Sequence, residues 1–119
     1  METTVVIVDD STVYIAAAQA LLEREGMQVV GHAGGSAEAV DLCARVQPDV
    51  VLVDVALGGE SGFDVVRRLA REGGPTLVLI STRTADEVDE MLDASPAAGF
   101  VTKSALSADV IRSLMPSAG

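Results

Sequence analysis

Five short apolar runs, each followed by a helical pattern, limit what this chain can fold into. The runs are Thr4 to Val8, Met27 to His32, Asp49 to Asp54, Thr76 to Ser81 and Gly99 to Thr102. They are brief, rich in Val, Ile and Leu, and bounded by turn residues, so they read as buried strands. Between them lie segments with apolar residues at helical spacing. Ser11 caps a helix to about Arg24 with Tyr14, Ala17, Ala18, Leu21 and Leu22 inward, and Gly26 stops it. Ser36 opens a second helix to about Val46, ended by Pro48. Ser61 or Gly62 opens a third, with Val65, Val66, Leu69 and Ala70 inside, and Gly73-Gly74-Pro75 breaks it. Thr84 caps a fourth carrying Val88, Met91 and Leu92, and Ser107 caps a last one carrying Val110, Ile111 and Leu114. Five β-α repeats of this kind predict an α/β fold, a parallel sheet covered on both faces.

The bulk numbers narrow the function. A length of 119 residues with 49% hydrophobic content predicts one domain, 1–119, with a sizeable core. No apolar stretch approaches the roughly 18 residues of a membrane span, and the start has no signal-like segment, so a cytoplasmic location is expected. Cys43 is the one cysteine, which excludes an intrachain disulfide and a cysteine-built zinc site. A net charge of −10 argues against direct nucleic-acid binding and against anionic membranes.

Chemistry-bearing residues gather at the strand ends. Asp9 and Asp10 follow the first run, Asp54 ends the third, Ser81 and Thr82 follow the core of the fourth, and Lys103 follows the fifth. Ligands on open parallel sheets bind beyond the carboxyl ends of the strands, where strand order reverses. With strand order 2-1-3-4-5, strands 1 and 3 flank that point about 4.8 Å apart. Asp9, Asp10 and Asp54 then converge. Two carboxylates about 4 Å apart repel by about 4 kcal/mol at an effective dielectric of about 20. Three acids and one lysine sum to −2, which one divalent cation neutralises. Mg²⁺ suits such a site, being hard, oxygen-seeking and compatible with phosphate. An aspartate beside it can act as a nucleophile toward phosphorus, with a lysine as the point charge on a phosphoryl oxygen. Asp49 cannot substitute for Asp54, because it lies at the other edge of the sheet.

This arrangement resembles the receiver domain of bacterial two-component response regulators. The matching residues are Asp9-Asp10, Asp54, Gly62 eight residues later, Ser81 and Lys103, in order, on the (βα)₅ pattern. The resemblance implies a flavodoxin-like, doubly wound sheet and a Mg²⁺-dependent transfer of phosphate to Asp54 from a sensor histidine kinase. It implies metal ligation by Asp9, Asp10, Asp54 and the Ala56 carbonyl, and phosphate contacts from Ser81 and Lys103. Ser81 would swing toward the phosphate, and Phe100, if not a plain core residue, would change its exposure. Thr82 competes with Ser81 as the relevant hydroxyl; Ser81 is preferred because it directly follows the apolar run.

The chain also departs from that family. Ser104 stands where the residue after the lysine is usually a cis proline, so a trans bond and a reshaped loop are expected. The run Lys103-Ser104-Ala105-Leu106 looks like receivers that precede helix-turn-helix output domains, so the chain is either a stand-alone receiver or part of a longer protein. Gly58 replaces a frequent proline. Thr82 and Arg83 add bulk over the phosphate, which predicts a long-lived phosphorylated form. Output would pass through 85–115 to an output domain or a downstream protein, with a homodimer as one possible arrangement.

Two other functions compete. A phosphatase with an aspartyl nucleophile would need a second acid two residues on, where this chain has Ala56, so the protein is expected not to be a turnover enzyme. A degenerate receiver working as a phosphorylation-independent interaction module would not need the full site. His32 and Cys43 read as structural, the glycine pairs as turns, and Asp86, Glu87, Asp89, Glu90 and Asp93 as a solvated helix face.

Overall fold

A computed structural model describes residues 2–83, 92 and 94–116. The strands are β1 (Thr4–Val8), β2 (Gln28–Ala33), β3 (Val50–Asp54), the short pair β4 (Ala56–Leu57) and β5 (Glu60–Ser61), β6 (Thr76–Ser81) and β7 (Gly99–Thr102). The helices are α1 (Thr12–Arg24), α2 (Ser36–Val46), α3 (Gly62–Glu72) and α4 (Ala108–Leu114), with a 3₁₀ turn at Lys103–Ala105. The main sheet has order β2-β1-β3-β6-β7, and every pairing in it is parallel. Numbered without the β4–β5 hairpin, this is the expected 2-1-3-4-5 doubly wound arrangement. The fourth helix expected from Thr84, and the acidic run beginning at Asp86, fall largely outside the described residues.

Side-chain alternation along the strands divides the core in two. Val6, Val8, Val51, Val53, Leu77 and Leu79 face Ala39 and Leu42 of α2 and Phe63, Val66 and Leu69 of α3. Val5, Ile7, Leu52, Val78 and Ile80 face Ile15, Ala18 and Leu22 of α1 and Ala108 and Ile111 of α4. β1 and β3 are wholly buried from Val5 to Val8 and from Val50 to Val53, as continuous apolar runs predict for central parallel strands.

Several local expectations shift. On α1 the buried residues are Ile15, Ala18 and Leu22, while Ala17 faces solvent. A stripe at i, i+3 and i+7 through the bulkier isoleucine buries more apolar surface than one through Ala17. Ala70 is likewise exposed on α3, where Phe63 takes a place in the core. Ser36 is not the cap of α2: Gly35 occupies that position and offers no side chain. The free N–H of Ser36 donates instead to Oε1 of Glu60, on β5, and the Ser36 hydroxyl accepts from Arg68 at 3.2 Å. Ser11, Ser61 and Ser107 do cap α1, α3 and α4 through their hydroxyls. The expected trans bond before Ser104 is present: there is no cis peptide among the described residues.

Candidate functional site

The parallel register brings the carboxyl ends of β1, β3, β6 and β7 to one edge. Val8 pairs with Val53, Asp54 with Ile80, and Ser81 with Thr102. Each chain tip therefore delivers its polar residue to a common mouth. Asp9, Asp10 and Asp54 each offer a carboxylate oxygen there, all within 4.8 Å of one another. Asp9 is 1% exposed and Asp54 7%, whereas Asp10 faces solvent.

Lys103 joins two of these acids. Its Nζ lies 2.7 Å from Asp9 Oδ2 and 3.2 Å from Asp54 Oδ2. The other oxygen of each acid is held by backbone: Asp9 Oδ1 accepts from the Ser11 N–H at 2.8 Å, and Asp54 Oδ1 from the Ala56 N–H at 3.2 Å. The Lys103–Asp9 contact is short but not aligned as a hydrogen bond, so the buried Asp9 Oδ2 keeps unused acceptor capacity. Burial, seconded by the charge of Asp9, lifts the Asp54 carboxyl above its usual range, against the opposing pull of the Ala56 N–H and Lys103. Burial alone would lower the Lys103 ammonium; its contacts with Asp9 and Asp54 outweigh that and hold it above the usual lysine value. Two ionised acids on one lysine leave negative charge that a hard cation would cancel. The donor set is all oxygen, one ligand is solvent-facing, and one buried oxygen has spare capacity. Those residues fit Mg²⁺.

The remaining candidates lie around this mouth. Ser81 is buried at the tip of β6, and its Oγ accepts from the Arg83 N–H at 3.0 Å. Thr82 and Arg83 follow it and are exposed. Ala56 opens β4 beside Asp54 and pairs with Ser61. Phe100 is half-buried on β7, packed against the α2–α3 side of the core. Asp49 is at the opposite edge, where its Oδ2 accepts from the Thr4 N–H at 2.9 Å. Cys43 is half-buried against the core, as a packing residue would be.

Two residues at or near the site read differently in the sequence. Tyr14 looks like an ordinary member of an apolar stripe, yet the Lys103 Nζ sits 4.4 Å from its ring centroid. Its place in the first turn after Asp10 was the available signal, since the start of a helix after β1 stays close to the β1 tip. Glu60 looks like a turn residue, but it ties the hairpin next to Asp54 to the start of α2. Gly62 has a steric reason for its identity. A Cβ there would lie 2.0 Å from the Asp54 carbonyl oxygen and 2.8 Å from Val55 Cα.

Comparison with known proteins agrees with this geometry. The family model described as the response regulator receiver domain matches residues 5–114. The nitrate/nitrite response regulator protein NarP of Escherichia coli K12 is 36% identical over 102 residues, covering 83% of this chain and 47% of that protein. A protein-glutamate methylesterase/protein-glutamine glutaminase of Halobacterium salinarum is 33% identical over 92 residues, covering 77% of this chain but 26% of the enzyme. The chain thus spans half or less of these curated relatives. Among solved structures, a two-component response regulator of the LuxR family from Aurantimonas sp. superposes with a TM-score of 0.82 at 25% identity, covering 94% of this chain and 81% of that one. Among the described residues no helix is long and apolar enough to cross a membrane.

Proposed function

The chain belongs to the response-regulator receiver domain family, and from that premise we propose that Asp54 accepts a phosphoryl group from the phosphohistidine of a sensor histidine kinase. The observation that carries this reading is the convergence of Asp9, Asp10 and Asp54 around the Lys103 ammonium at the sheet's carboxyl edge. In the transfer, an Asp54 carboxylate oxygen forms the new P–O bond. The P–N bond of the donor breaks, and its electron pair stays on the imidazole nitrogen. Lys103 stands 3.2 Å from Asp54 Oδ2, within reach of an oxygen on the arriving group. The Ala56 N–H holds the other Asp54 oxygen and so fixes which way the carboxylate faces.

Asp9, Asp10, Asp54 and the Ala56 carbonyl would hold Mg²⁺. Bound there, the ion supplies charge neutralisation at the phosphoryl oxygens. Ser81 would exchange its contact with the Arg83 N–H for a phosphoryl oxygen, and Phe100 on the neighbouring strand would follow. Thr82 and Arg83, exposed at the mouth, would shield the acyl phosphate from water. The phosphoryl group biases a two-state equilibrium, read through β7, α4 and the segment before them by an output domain or a downstream protein. In this reading the protein acts in the cytoplasm as a switch rather than a turnover enzyme, without itself binding nucleic acid, and a homodimer is a candidate output state.

Incubation with acetyl phosphate and Mg²⁺, followed by intact-mass measurement, tests this. One phosphoryl group should add to the wild type and none to Asp54→Asn. A wild type that never labels would favour the phosphorylation-independent module.

A further inference from the structure

Lys103 is a long, flexible side chain whose placement matters for phosphoryl transfer, and salt bridges alone hold an ammonium loosely. A third neighbour is present. The ring of Tyr14 approaches the Nζ to 4.4 Å from its centroid, inside the range of a cation–π contact. The backbone that carries the ring is in turn held from the acid side. Asp9 Oδ1 accepts from the Ser11 N–H at 2.8 Å, and Ser11 Oγ accepts from the Tyr14 N–H at 3.2 Å. With Asp9 Oδ2 2.7 Å from Nζ, the contacts close a circuit through Asp9, Ser11, Tyr14 and Lys103. One carboxylate thus places the lysine twice, directly and through the helix cap.

We propose that Tyr14 is a positioning residue for phosphoryl transfer: its aromatic face holds the Lys103 ammonium at Asp54. This rests on Asp54 being the phosphoryl acceptor. The hydroxyl of Tyr14 is not part of the device. Among the described residues it is buried without a hydrogen-bond partner, a cost that a phenylalanine would avoid. Burial, then the charges of Asp9 and Asp54, push the phenol up to about 12, so it stays neutral throughout the working range.

The test compares Tyr14→Phe and Tyr14→Leu with the wild type by two readouts. The first is the rate of labelling by acetyl phosphate with Mg²⁺, followed by intact mass. Tyr14→Leu should slow labelling about fivefold, equivalent to about 1 kcal/mol of lost cation–π contact, and Tyr14→Phe should restore it. The second needs no phosphoryl donor: NMR of ¹³C-labelled lysine side chains. The Lys103 terminal carbons should show ring-shifted, ordered signals in the wild type and Tyr14→Phe, and averaged signals in Tyr14→Leu. Ring shifts that persist while the wild type fails to label would sink the phospho-acceptor reading and leave the ring–ammonium contact standing. Labelling of Tyr14→Leu at the wild-type rate would overturn the proposal. So would equal slowing of Tyr14→Phe and Tyr14→Leu, which would assign the role to the hydroxyl.

Discussion

Replacing Gly62 with alanine should damage this protein more than its single added methyl suggests. Gly62 begins α3, and its N–H donates to the Val55 carbonyl at 2.8 Å. The added Cβ would meet the Asp54 carbonyl oxygen at 2.0 Å, the Asp54 carbonyl carbon at 2.7 Å and Val55 Cα at 2.8 Å. All three are backbone atoms of the segment that carries the acceptor aspartate, so no rotamer change relieves them. The ordinary cost of overpacking is about 1–3 kcal/mol, and a rigid obstacle more than an ångström too close belongs at or above its upper end. We expect a loss of about 3 kcal/mol, a large share of the roughly 5–15 kcal/mol that holds a domain folded. At about 3–5 °C per kcal/mol for this size, the melting point should fall roughly 10–15 °C. Gly59→Ala is the internal control: a Cβ there meets nothing within 4 Å among the described residues, and its stability should stay within about 0.5 kcal/mol of the wild type. Urea denaturation of the three proteins reads the difference. If Gly62→Ala unfolds within about 0.5 kcal/mol of the wild type and labels normally, the close-approach explanation is wrong.

Three further outcomes follow from the site. Because burial raises the Asp54 carboxyl above its usual range, its charged form opposes folding at neutral pH; stability tied to this group is present below the unfolded-state value and lost as pH rises through the folded one. Asp54→Asn should therefore be more stable than the wild type in Mg²⁺-free buffer at pH 7, with the gap closing toward pH 4 in urea titrations; a gap constant with pH would contradict this. Mg²⁺ at about ten times its dissociation constant should stabilise the wild type by about 1.4 kcal/mol, and removal by EDTA should reverse it; an equal gain in Asp10→Asn would argue against the acid cluster as the site. Thr82→Ala should speed loss of the phosphoryl group several-fold in a time course by intact mass, and an unchanged rate would remove Thr82 from the shielding role.

How much of this was readable beforehand depends on the range of the interaction. Strand and helix identity was legible because period and composition are local: Val5 to Val8 and Val50 to Val53 have no polar face to offer. The site was legible because a parallel sheet sends every strand tip to one edge, so Asp9, Asp54, Ser81 and Lys103 need only end their strands to meet. Contacts between distant segments were not legible. Glu60 takes over the start of α2 from 24 residues away, and Glu25 reaches the N–H of Ala108 at the start of α4 across 83 residues. Nothing in the local pattern around either glutamate announces a partner. Tyr14 failed for a different reason. An aromatic at a helical stripe position satisfies the core pattern, which conceals a second use of its face. The stripe on α1 differs from the expected one at a single position, since Ala17 and Ile15 both fit a helical period and the larger isoleucine fills the core.

The two-sided interior has a consequence for how such a protein can change. The sheet works as a bulkhead: the layer of α1 and α4 and the layer of α2 and α3 each solve their own fitting problem against opposite sides of the same strands. A lineage can redraw one outer layer to suit a new binding companion while the strands between keep their spacing. The acids and the lysine at the tips ride on those strands and travel with them, so such remodelling is bound only where a layer touches the tips, at Ser11 and Tyr14 at the head of α1 and at Gly62 at the head of α3.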